Sequence, residues 1–343
     1  MNNKNYELNK IKKDKNSIDL NYKDITKDSY SYYQLDNSFI VFKSINNILY
    51  LIYATQNISI ILYNLIDNKK INEIKNAHKT YITNFRHYLD KQNNKDLMIS
   101  ISSTDNNIKL WNINNLEIIY NFEYINNEGD LFSACFINDN NQINIISSNC
   151  HLFNTEPIKV FNQKGKKVKE VDDSNNNTFF IDIYYDKINI EIYIITGNYG
   201  YAQSYNYTKN KIYKKYEEEY ITWKKNDFSH IIIYEADIIK LICSCKDSYI
   251  RIWDFHSAKL LNKIKIFDRF ILGICIWDND YVFAGSNDTY IRLIEIKSGE
   301  IIKSLKGHYR EALNIKKIIH PFYGECLISQ GYRNDYLKFW TKK

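Results

Sequence analysis

Proline and glycine are the scarce residues in this chain: two prolines and ten glycines among 343 residues. Ten glycines leave little room for glycine-rich phosphate cradles, and no Walker-type loop, Gly-x-Ser-x-Gly or His-Glu-x-x-His signature occurs. No apolar stretch of about 20 residues is present, so a membrane-spanning helix is not expected. The N-terminus, from Met1 to Glu7, has no apolar core of a secretory signal. That points to the cytoplasm or nucleus, and the sequons at Asn57 and Asn206 are read as unused. Six cysteines are present, and most lie inside apolar runs, as Cys135 and Cys275 do. Cys243 and Cys245 have no second pair at metal-ligand spacing, so neither a metal nor another cofactor is expected.

What is abundant points to strand. Thirty tyrosines, seventeen phenylalanines and many isoleucines favour extended structure. With 44% hydrophobic and 25% charged residues the composition is that of a globular protein. The asparagine, lysine and isoleucine bias has a plain source in an A/T-rich coding sequence. The net charge is +6, but lysines are scattered, and the densest group is Lys164, Lys166, Lys167 and Lys169. Scattered lysines serve solubility and guard strand edges, whereas a clustered stripe would suit nucleic acid. Basic charge therefore leaves a nucleic-acid-associated subunit only as the alternative.

One pattern recurs: a short apolar strand, a polar turn, then a strand closing on an aromatic and Asn or Asp. The clear copies are Leu97–Asn112, Leu241–Asp254, Val282–Glu295 and Leu327–Trp340. Weaker copies end at Tyr63-Asn64, Phe161-Asn162 and Tyr205-Asn206. Aligned on the aromatic, the copies fall at 63, 111, 161, 205, 253, 294 and 340, with Ile294 replacing the aromatic in one. The steps are 48, 50, 44, 48, 41 and 46 residues. Runs of four to eight apolar residues bounded by Asn, Asp, Ser and Gly read as strands and turns. A lone four-stranded sheet cannot cover both of its faces, whereas sheets arranged around an axis cover one another.

These residues resemble the WD40-repeat family, whose repeat has a Gly-His pair before the first strand and a Trp-Asp pair closing the third. This chain carries Gly307-His308 and Trp253-Asp254, with Ala77-His78 and Trp111-Asn112 as near matches. The family's turn Asp, six residues before the Trp, matches Asp105, Asp247 and Asp288. The last copy has Asn334 there with Asp335 beside it, and the weak copies have Asn57, Thr155 and Tyr199. The resemblance implies an all-β, seven-bladed β-propeller of four-stranded antiparallel blades. Their expected extents are about 37–75, 76–124, 131–171, 178–219, 228–267, 270–306 and 307–343. It implies that the turn Asp accepts from the repeat's His, and that a Ser or Thr hydroxyl links His to Trp. One full set is then His78, Ser103, Asp105 and Trp111, and Trp340 closes the last blade. These are read as structural residues and not as a catalytic triad.

The chain ends three residues after Trp340, before any fourth strand of that blade. The segment 1–36 is expected to supply that outer strand, from Tyr30–Leu35 or Asp19–Lys23. The resemblance further implies a non-catalytic scaffold or adaptor, a monomeric propeller that binds other proteins on its loops. Residues just before the turn Asp are the candidates: Thr104, Lys246 and Asn287, with Arg333 in the last blade. Arg269, Arg310 and Trp223 join them as loop residues. Phe255-His256 follows Trp253-Asp254, so the arginine of the box that docks some family members onto cullin-ring ligases is missing.

Overall fold

The computed structural model describes residues 20–26, 38–102, 104–123, 130–150, 157–171, 178–218, 228–266, 270–333 and 335–342. Among these, every regular element is a strand, and the strands form seven four-stranded antiparallel sheets. The protein is a seven-bladed β-propeller. Six blades use four consecutive strands, and the seventh mixes the two ends of the chain.

Each aligned repeat position falls in the third strand of its blade, from Tyr63 in Ile60–Asn64 to Trp340 in Leu337–Lys342. In six blades the ladder to the fourth strand shifts register beside this residue, as at Leu62/Tyr63, Leu110/Trp111 and Ile252/Trp253. Such a bulge bends the strand and adds twist, so the outer edge of each blade turns away from its inner edge.

The innermost strands are Phe39–Lys43, Asn84–Asp90, Asp130–Asp139, Phe180–Asp186, Phe228–Glu235, Ile271–Ile276 and Ala312–His320. Each contacts the next around the ring, and the last contacts the first. Seven apolar clusters fill the seven seams between blades. Alternation along a strand sends successive side chains to opposite seams. Leu97, Ile99 and Ile101 pack toward the third blade, whereas Met98 packs with Trp111 toward the first. Gly273 lies where two inner strands cross so closely that a Cβ would fall 1.7 Å from the Leu313 carbonyl oxygen.

Turns with positive φ are common, although glycines are few. Among the described residues fifteen non-glycine positions have positive φ, and eight of them are asparagines, among them Asn47, Asn94 and Asn210. Asparagine tolerates the left-handed region because its side chain bonds the local backbone. Part of the asparagine excess therefore has a structural use in addition to its compositional source.

The ring closes where Leu20–Thr26 pairs with Leu337–Lys342, in register Leu20↔Lys342 and Tyr22↔Trp340. The Tyr22 ring packs on Trp340 with centroids 4.8 Å apart. Leu20 joins the cluster between blades six and seven. Lys338, fully buried, points its ammonium at Asp24 Oδ1, 2.8 Å away. The closing strand therefore overlaps the Asp19–Lys23 expectation. The other expectation, Tyr30–Leu35, lies outside the described residues.

Deleting residues 1–26 is expected to cost about 3–5 kcal/mol or more, because it removes the buried packing of Leu20 and Tyr22 and leaves the edge of Leu337–Lys342 unpaired. Asp24→Ala removes the partner of Lys338 but admits solvent through a partly exposed site, so a smaller loss of about 2 kcal/mol is expected. Thermal and urea melts check both, and unchanged midpoints in the deletion would sink the closure.

Candidate functional site

Antiparallel order places the turn between strands two and three at the same end of a blade as the loop leading into strand one. A polar clamp joins the two at this face. In blade seven it is complete. His308 Nδ1–H donates to Asp335 Oδ2 at 3.0 Å, and the Ser329 hydroxyl donates to His308 Nε2 at 2.7 Å. Ser329 Oγ in turn accepts from Trp340 Nε1 at 2.7 Å. Asp335 Oδ2 also accepts the backbone N–H groups of Tyr309 and Arg310, at 2.8 and 3.0 Å. One carboxylate thus ties the incoming loop to the turn. Gly307 is needed beside it, because a Cβ would lie 2.7 Å from both Trp340 and Tyr22.

Blade two repeats the arrangement with a looser turn. His78 Nε2 lies 2.7 Å from Ser100 Oγ, which accepts from Trp111 Nε1 at 2.8 Å. The linking hydroxyl is Ser100 and not Ser103, which lies outside the described residues. The reason is the ladder. Trp111 pairs with Met98, and only the residue two further on, Ser100, points to the same seam. Trp340 pairs with Leu327 in the same way, which selects Ser329. Asp105 Oδ2 stays 3.9 Å from His78 Nδ1 and accepts the Lys79 N–H instead.

In blades five and six the turn Asp serves a different partner. Asp247 receives the Arg251 guanidinium bidentately, at 3.0 and 2.5 Å. Glu218 Oε1 lies 3.3 Å from Arg251 Nε. Asp288 receives Arg292 at 2.9 Å through Nη1. Cys243 occupies the place of Ser100, and Trp253 Nε1 has no hydrogen-bond partner among the described residues. Residue-by-residue spacing missed these arginines. Their signal stands in the repeats themselves, where Lys109, Arg251, Arg292 and Lys338 all sit two residues before the aligned position.

The expected partner-binding residues that are described, Thr104, Lys246, Asn287, Arg310 and Arg333, lie in the turns and loops of this face. Arg310 and Arg333 are exposed, and the Arg333 guanidinium lies 5.2 Å from the Tyr332 ring centroid. Tyr309, which the sequence did not single out, is 78% exposed. Lys246 and Asn287 are half-buried, and Thr104 is exposed with its hydroxyl 2.5 Å from Thr80 Oγ1. Asp335 and not Asn334 fills the turn position, so Arg333 stands two residues before the Asp, one further than the expected register. Arg269 and Trp223 lie outside the described residues. Cys243 and Cys245 are free thiols in the core, and burial raises both well above the usual thiol range.

No family model matches the chain. A stretch of 87 residues is 31% identical to nuclear distribution protein PAC1 of Saccharomyces cerevisiae, strains YJM789 and RM11-1a. The match covers 25% of this chain and 15% of that protein, so the chain spans a small part of the curated relatives it matches.

Ser329→Ala leaves His308 Nε2 and Trp340 Nε1 buried without a partner, and a loss of about 1–3 kcal/mol in urea unfolding is expected. Ser100→Ala is expected to cost a similar amount, and a neutral result at both positions would remove the hydroxyl link as a source of stability. Burial, helped by Lys109, pulls His78 down to about 3, and burial also lowers His308 against the pull of Asp335. The unfolded chain therefore takes up protons below about pH 6.5 while His78 in the folded one stays neutral. Stability should be full at neutral pH and fall on acidification from about pH 6.5 toward 4, by up to about 1.4 kcal/mol per pH unit for His78, with His308 adding in the same direction. Urea midpoints across that range measure it, and a flat profile would contradict a neutral His78.

Proposed function

We propose that this chain is a WD40-type propeller that acts as a non-catalytic scaffold or adaptor, binding partner peptides or protein edges on the loop face. The observation that carries the reading is the blade-seven clamp. By holding the Tyr309 and Arg310 backbone to Asp335, it leaves both side chains projecting from a fixed loop. An exposed aromatic beside arginines on a rigid frame is the composition of protein-interface anchors. The seven blades, the His–Ser–Trp links and the partial likeness to PAC1 support the WD40 assignment.

In this reading Thr104, Lys246, Asn287, Arg333, Arg269 and Arg310 form the contact surface with Tyr309, and the arginines suit an acidic or phosphorylated segment. Residues 1–36 serve as the closing arm and 37–343 as a monomeric propeller, working in the cytoplasm or nucleus. The polar clamp sits in a packed seam as a framework, so no reaction is assigned to it.

The full-length protein and the Tyr309→Ala/Arg310→Ala variant, immobilised side by side in cell extract, test this. The substitutions keep both backbone donors, so the melting temperature should be unchanged while at least one stoichiometric protein partner is lost. Identical recoveries from the two baits would overturn the choice of surface. Recovery that vanishes with nuclease and with rising salt would instead assign the protein to nucleic acid.

A further inference from the structure

The inner strands line a cavity of about 750 Å³ on the propeller axis. This is within the volume range of small-molecule sites. Its walls are largely isoleucine and aromatic, yet four polar groups face it from the inner strands of four blades: Arg86, Asp182, His230 and Lys316. His230 and Arg86 both lie against Phe180, the His230 ring 6.3 Å and the Arg86 guanidinium 5.9 Å from its centroid.

Two of these groups lack partners among the described residues. His230 is 5% exposed, and neither Nδ1 nor Nε2 has a hydrogen bond to any of them. The half-buried Lys316 ammonium has no hydrogen bond or ion pair with any described residue. Arg86 spends one nitrogen on Asn84 Oδ1 and the Phe85 carbonyl, and Asp182 Oδ1 accepts the Ile183 N–H. Buried polar groups are almost always satisfied, so unpartnered ones facing a cavity mark the place of a missing partner. Two cations against one carboxylate leave this part of the channel short of one negative charge. The other wall carboxylate, Glu235, sits at the hairpin end of its strand beside Tyr184. His87, further along the wall, is committed to Asp96 at 2.7 Å.

We propose that the central channel binds a small organic anion, its acid group held by Lys316, Arg86 and His230 and its apolar body lying against Phe180 and the isoleucine walls. The acid group is a carboxylate or a phosphate monoester, which present the same acceptor chemistry to these donors. The site does not depend on the loop face or on the scaffold reading. Burial, with Lys316 and Arg86 adding to it, holds His230 down to about 3 in the unliganded protein. A bound anion opposes that, so His230 reports on occupancy.

Benzoate and phenyl phosphate are titrated into the full-length protein at low ionic strength, with benzyl alcohol as the uncharged counterpart. The His230 ring resonances and calorimetry are followed together. A saturable response to either acid, with the His230 pKa moving upward, is expected, and the tighter arm identifies the acid group. Lys316→Met should weaken binding about tenfold or more, the loss expected for a charge-assisted bond. Asp182→Asn should tighten it several-fold by removing the competing carboxylate, a change that misfolding cannot imitate. No saturation by either acid overturns the proposal, as does equal binding of benzyl alcohol, or an affinity indifferent to both substitutions.

Discussion

The antiparallel pairing of Leu20–Thr26 with Leu337–Lys342 holds the ring shut, and the rest of the molecule depends on it. A propeller has no central core. Its apolar surface is divided among seven seams, and each seam needs a blade on both sides. If the seventh blade lost its outer strand, Lys338 would lose its counter-ion and Trp340 its cover from Tyr22. The seam to blade six, where Leu20 packs, would open as well. Joining the two ends of the chain in one sheet makes the closure cooperative, because neither end can leave without exposing the other.

The same blade carries the complete clamp, and this links stability to the surface. Trp340 pairs with the closing strand on one edge and bonds Ser329 in the seam. Ser329 fixes His308, His308 fixes Asp335, and Asp335 fixes the loop at Tyr309 and Arg310. A continuous chain of hydrogen bonds thus runs from the buried third strand to an exposed aromatic. Blades five and six hold their turns with Arg251 and Arg292 on Asp247 and Asp288. One backbone plan therefore supports two polar solutions: a tryptophan–serine–histidine–aspartate relay in a seam and an arginine–aspartate fork at the turn.

Much of the fold was legible in the residues because it repeats. The aligned positions from Tyr63 to Trp340 all fall in third strands, and the strand that completes the last blade overlaps the expected Asp19–Lys23. The candidate site was less legible. Ser103, two residues before Asp105 in sequence, is the expected linking hydroxyl, but ladder register assigns that role to Ser100. Counting six residues back from Trp340 reaches Asn334, whereas the turn closes one residue later, on Asp335. Spacing along a chain is a poor guide wherever a turn changes length, because side-chain direction is set by pairing across the sheet.

By itself the sequence determined the all-strand character and the seven repeats, since these follow from periodic apolar runs and their bounding turns. It also supplied asparagine where scarce glycine left left-handed turns to fill. Only the tertiary structure decided which serine meets His78, which acid meets Arg251, and that Arg86, Asp182, His230 and Lys316 face one cavity. Those four residues come from four different blades, separated by up to 230 positions between Arg86 and Lys316. Nothing local in the chain connects them. They meet because ring closure turns every innermost strand toward a common axis.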